Sequence, residues 1–193
     1  MQINPKTMDE IYQTQITNSV ESLFSYLSER ATAEEVARMR RAYELAAEAH
    51  KEQKRKSGEP FIMHPIAVAG IVARELELGD NPVISAFLHD VVEDTDYTVE
   101  DIRERFGDDV AFLVDTVTKR KKDSYEQSKQ IDNYRQILES VHYDIRALLI
   151  KLVADSSKKA SLFSLINCTT FCESADEMYG LCTRTGVLMP DAV

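Results

Sequence analysis

Between Val83 and Asp94 the chain reads Val-Ile-Ser-Ala-Phe-Leu-His-Asp-Val-Val-Glu-Asp, an apolar helical stretch into which one imidazole and three carboxylates are set. Burying such groups without a counter-charge costs several kcal/mol. A fold containing this stretch must therefore turn them to water or close them around a cation and something polar. On a continuous helix, His89 and Glu93 stand four apart, as do Asp90 and Asp94, so all four are expected to point toward one side. An ordinary apolar core does not accommodate that pattern.

The surrounding sequence is predicted to be all-α. With 193 residues, 44% of them hydrophobic, and only six Gly and five Pro, the chain reads as one soluble domain large enough to bury a core without disulfide or metal staples. No apolar run approaches the roughly 18 residues of a membrane span, and the N-terminus lacks a basic region followed by an apolar one, so a cytoplasmic location is expected. A formal net charge of -10 argues against a nucleic-acid partner, which needs a basic face. Cys168, Cys172 and Cys182 have no histidine nearby to complete a zinc set and read as free thiols. The sequence leaves the oligomeric state open.

Taken in order, residues 1–31 carry Ile11, Ile16, Val20, Leu23, Phe24 and Leu27 at helical spacing and are expected to form an N-terminal helical appendage. Thr32-Ala-Glu-Glu35 is a capping-box pattern that opens a second helix through His50. A basic cluster, Lys51 to Lys56, then runs into Ser57-Gly58-Glu59-Pro60, which stops it. His64 precedes a proline, and a helix is predicted to restart at Pro65. Asn81 is the expected N-cap of the next, with Pro82 at its first position. Thr98 opens a further helix that Gly107 ends, and Asp108 or Asp109 begins another. Helices are predicted from about Ser124 to Val141, after the basic run Lys119 to Asp123, and from an Asp144 cap to Ala154, delivering Asp155 at the end. Residues 32–155 form the expected core. Beyond it the texture changes: charged residues fall from 49 in 1–155 to 7 in 156–193. No structure is predicted for that tail.

His64, His89, Asp90 and Asp155 are two imidazoles and two carboxylates, each awkward for a purely structural role. Mixed nitrogen and oxygen ligation without thiolate suits manganese, iron, magnesium or zinc. Neighbouring helical residues lie about 100° apart, so His89 and Asp90 share an ion only when it sits between their faces. On spacing alone, both a metal site and a solvated polar face stay open.

The pattern His64…His89-Asp90…Asp155 resembles the H…HD…D motif of the HD-domain metal-dependent phosphohydrolases, an all-helical superfamily. More narrowly, Arg55-Lys-Ser-Gly-Glu-Pro-Phe-Ile-Met-His64-Pro, Ala86-Phe-Leu-His89-Asp-Val-Val-Glu-Asp94-Thr, Phe106-Gly and Val114-Asp-Thr-Val-Thr-Lys119 resemble the hydrolase domain of the RelA/SpoT family. The resemblance covers roughly residues 32 to 155 and implies an HD-domain helical bundle. It implies hydrolysis of the 3′-pyrophosphate of (p)ppGpp, giving GDP or GTP and pyrophosphate in the degradation of the stringent-response alarmone. His64, His89, Asp90 and Asp155 would hold manganese, or another divalent metal. Glu93 and Asp94 would orient or deprotonate the attacking water. Arg55, Lys56 and Ser57 would contact the guanine nucleotide.

One segment departs from the family pattern. Where the family continues after the aspartate with an Arg-x-x-Asn segment on the guanine side, this chain has Ser156 and Lys159. The tail is expected to be a divergent solution or the remnant of a longer ancestor. Two alternatives follow: an HD phosphohydrolase acting on another nucleotide, and a truncated, inactive HD module with a binding or regulatory role.

Overall fold

The computed structural model describes residues 5–118 and 144–159, with side chains described for 7–118 and 144–155. The predicted helix near 124–141, the basic run at 119–123 and the three cysteines lie outside the described residues. The described elements are α1 (Pro5–Ser28), α2 (Ala33–Ala49), α3 (Met63–Arg74), α4 (Asp80–Leu88), α5 (Val91–Asp94), α6 (Val99–Phe106), α7 (Asp108–Val117) and α8 (Ile145–Lys159). Among the described residues the only β feature is an isolated bridge between Lys54 and Pro60. The all-α expectation holds.

Local chemistry sets several helix starts where the sequence marks them. Thr32 accepts from the Glu35 amide at 3.3 Å while the Glu35 carboxylate accepts from the Thr32 amide at 2.7 Å, completing the capping box of α2. Thr98 and Asp101 repeat the device at α6. Gly107, at φ 94° and ψ 173°, occupies a region open only to glycine and turns α6 into α7 without a linker. Asp144 accepts from the Arg146 amide at 2.8 Å and starts α8.

Two starts differ from expectation. The N-cap of α4 is Gly79 rather than Asn81, because tertiary partners claim the Asn81 side chain: it accepts from Arg38 at 3.0 Å and donates to Asp109 at 2.7 Å. Helix α3 begins at Met63, not Pro65. Its first-turn N–H groups need no acceptor one turn back, so proline is tolerated there. The Met63 and His64 amides instead close onto Pro60 and Phe61 oxygens at 3.2 and 3.0 Å.

Helix α4 is the axis of the bundle. Pro82 through Leu88 are all buried, and α2, α3, α7 and α8 pack around it. Phe87 stacks on Phe24 of α1, with ring centroids 6.3 Å apart, and meets Tyr43 of α2 edge-on at 5.9 Å. Helix α1 adds Ile16, Val20, Leu23, Phe24 and Leu27 to that same core. Among the described residues no helix is long and apolar enough to cross a membrane.

Candidate metal centre

The central helix ends at Leu88 and a new turn of helix starts at Val91, so His89-Asp90 is a break rather than the middle of one helix. Both residues keep right-handed helical dihedrals, and Asp90 and Asp94 still stand one turn apart, the Asp94 amide donating to the Asp90 carbonyl at 2.9 Å. Asp90, at φ -93° and ψ -11°, stays right-handed helical, toward the bridge region. The two adjacent side chains converge: His89 Nε2 lies 3.2 Å from Asp90 Oδ2.

The first turn of α3 supplies the third group. His64 Nε2 is 3.1 Å from His89 Nε2 and 3.4 Å from Asp90 Oδ2. All three residues are buried, and together they form a group able to hold a metal ion. The fit is geometric as well as chemical. Bonds of about 2.1 Å separate ligand atoms by about 3.0 Å at octahedral angles and about 3.4 Å at tetrahedral ones. The observed triangle falls within that span. His89 Nδ1 donates to the Ala86 carbonyl at 2.7 Å, which leaves Nε2 of the neutral ring as a lone pair facing the other two groups.

Asp155, the fourth expected ligand, does not join this triangle, whose ligand atoms all lie within 4.8 Å of one another. It is half-buried on α8, one position past the buried Ala154. Glu93 is half-buried and Asp94 exposed, on the single turn of α5 that follows Asp90.

Arg55, Lys56 and Ser57 lie in a tight loop joining α2 to α3. Gly58, at φ 91°, turns it, and the Arg55 amide donates to the Glu59 carbonyl at 2.9 Å. Lys56 and Ser57 are exposed, whereas Arg55 is half-buried with its guanidinium 3.4 Å from Glu59. The base of the loop reaches the centre: the Gln53 side-chain amide donates to the Asp94 carbonyl at 3.0 Å.

Sequence reasoning missed His50 and Gln53. His50 reads as the last member of an amphipathic stripe, yet it caps α2 at 1% exposure, with its ring 4.5 Å from Phe61. Burial holds its pKa below the usual histidine value, against the opposing pull of Gln53, Asp90 and Asp94. A histidine beside a helix stop, with a glutamine three residues on, was the available signal.

An all-helical bundle that closes two imidazoles and a carboxylate into a buried triangle is a helical domain with a group able to hold a metal ion. The chain belongs to the HD-domain family: the family model described as HD domain matches residues 42–158, from within α2 to near the end of α8. It is 45% identical over 145 residues to guanosine-3′,5′-bis(diphosphate) 3′-pyrophosphohydrolase of Aquifex aeolicus, covering 75% of this chain and 20% of that protein. It is 40% identical over 147 residues to the bifunctional (p)ppGpp synthase/hydrolase SpoT of Escherichia coli K12, covering 75% and 21%. The chain thus spans about a fifth of the length of these curated relatives. Among solved structures it resembles a metazoan ortholog of SpoT that hydrolyses ppGpp, with a TM-score of 0.55 and 27% identity over 82% of this chain and 98% of that one.

Proposed function

We propose that this chain hydrolyses the 3′-pyrophosphate of (p)ppGpp, releasing pyrophosphate and GDP or GTP, with manganese as the metal and the cytoplasm as its setting. The observation that carries the reading is the buried triangle of His64, His89 and Asp90. It lies within a family match that spans the sequence motifs shared with the ppGpp hydrolases. His64, His89 and Asp90 would hold the ion, and Asp155 would act on it from α8 as an outer carboxylate. A divalent cation held there supplies Lewis-acid activation of water and neutralises charge on the reacting phosphate.

The remaining work falls to protein groups. Glu93 and Asp94, one turn beyond the ligand Asp90, would orient the attacking water and take its proton, a contribution worth about 10² to 10⁴-fold. Arg55 offers a planar guanidinium to the base, and Lys56 and Ser57 offer donors to phosphate. Their loop is tied at its base to the backbone of Asp94, so nucleotide binding and water activation share one support.

The test is pyrophosphate release from ppGpp by the purified chain with added manganese, alongside metal analysis. Release that Asp94→Ala and Glu93→Ala abolish is the expected result. Bound metal with no release from ppGpp would overturn the reading. A second reading, hydrolysis of another nucleotide, has one observation in its favour, the Ser156 and Lys159 substitutions on the guanine side. Release from other nucleotides but not from ppGpp would establish it.

A further inference from the structure

His50 Nε2 is buried and has no hydrogen-bond partner among the described residues. Buried polar side-chain atoms are nearly always satisfied, and an exception points to a water, ion or ligand that the site takes up. The protonation of this ring follows from its neighbours. The Asp94 carbonyl can only accept, so the Gln53 side chain must turn its NH₂ toward it at 3.0 Å. That orientation aims the Gln53 amide oxygen at His50 Nδ1, 2.8 Å away, which must then carry the proton. In a neutral ring, Nε2 is left as a bare lone pair. Burial favours the neutral form.

Gln53 joins this ring to the turn that follows Asp90, bonding His50 Nδ1 with its oxygen and the Asp94 carbonyl with its NH₂. The charges of Asp90 and Asp94 favour the protonated ring and His89 opposes it, both weaker than burial. Phe61 is flanked by His50 on one side, at 4.5 Å between ring centroids, and by His64 on the other, at 6.3 Å. An acceptor without a partner, beside two carboxylates that also only accept when ionised, calls for a molecule with two protons to give. Water has that chemistry.

We infer that His50 is a positioning residue of this centre: its Nε2 accepts a hydrogen bond from a water shared with the Asp90–Asp94 turn, and Gln53 locks the ring in the orientation that permits this. The inference deepens the hydrolytic reading and rests on it. His50 neither holds the ion nor keeps the proton. It restricts which way the water points, so that the second proton faces the carboxylates of the Asp90–Asp94 turn.

Two measurements test it. Nitrogen-15 spectra of the histidines in the metal-free chain, with His50 assigned by its disappearance in His50→Phe, are expected to show the Nδ1–H tautomer; an Nε2–H tautomer overturns the inference. His50→Phe keeps a ring against Phe61 and removes both nitrogens. With ppGpp and manganese it is expected to lower kcat by about tenfold or more, leaving KM, metal content and melting temperature close to wild type. A purely structural histidine would show the reverse: unchanged kcat, which overturns the inference. Should His50→Phe fail to fold, Gln53→Met serves, with loss of the single tautomer and a lower kcat expected and retention of both contradicting it. No release by the wild-type chain defeats the hydrolytic reading and the positioning role with it. Release by wild type and His50→Phe alike defeats the positioning role alone.

Discussion

Asp90 is the one carboxylate in the buried triangle, and its Oδ2 lies within 3.4 Å of both imidazole Nε2 atoms. Removing a carboxylate from water costs several kcal/mol unless a cation or donors replace the lost hydration. A cation bound at the triangle would offset part of that cost in the folded state. Asp90→Asn keeps the shape and deletes the charge. We expect it to weaken manganese binding by about a hundredfold or more, since even outer-shell partners of metal ligands are worth about 10 to 100-fold. The metal-free protein should melt no lower than wild type, while the rise in melting temperature on adding manganese disappears. Calorimetric titration and paired melts check this, and undiminished manganese affinity would remove Asp90 from the ligand set.

At the scale of elements, the chain breaks between α4 and α5 at two neighbouring residues, His89 and Asp90, whose side chains converge to 3.2 Å. The sequence carries no sign of it, because no glycine or proline marks the break and Val91-Val92 continues the apolar pattern. Elements with a local cause were legible: the Thr32 and Thr98 boxes, Gly107, and the Asp144 cap all read correctly from a few residues. Those decided by distant partners were not. Asn81 lost its cap role to Arg38 and Asp109, and His50 looked like an ordinary stripe residue until Gln53 and Phe61 closed on it. Asp155 belongs to this second kind. The motif order identifies it, while its half-buried side chain lies outside the group of His64, His89 and Asp90. Asp155→Ala is accordingly expected to lower manganese affinity by no more than about tenfold, against about a hundredfold or more for His64→Ala. Equal losses in the two variants would show that Asp155 is a full ligand.

On the scale of the whole molecule, α8 is joined to the bundle by its apolar face, through Ala147, Ile150 and Ala154, and by one charged cluster at its start. Arg146 donates to Asp109 of α7 at 2.6 and 2.9 Å and to Asp144 at 2.7 Å, and Asp109 also accepts from Asn81 of α4. Those hydrogen bonds to Arg146 hold both carboxyls below the usual aspartate value, and the carboxylates in turn raise the pKa of the guanidinium. A carboxyl with a depressed folded-state pKa stabilises the fold above the unfolded value of about 4 and loses that contribution as pH falls through the depressed one. Asp109 and Arg146 are partly open to solvent, which discounts the gain. Arg146→Leu should therefore cost about 1 to 2 kcal/mol at pH 7. As pH falls below about 4 the wild type progressively loses the same contribution, and the two denaturation curves should draw together. Because α8 also packs on α3, which carries His64, the variant should weaken manganese binding at pH 7 although Arg146 is no ligand. Urea denaturation of both proteins across pH 2 to 8 decides it: a constant gap between them would mean that Arg146 stabilises α8 by packing rather than by its charge.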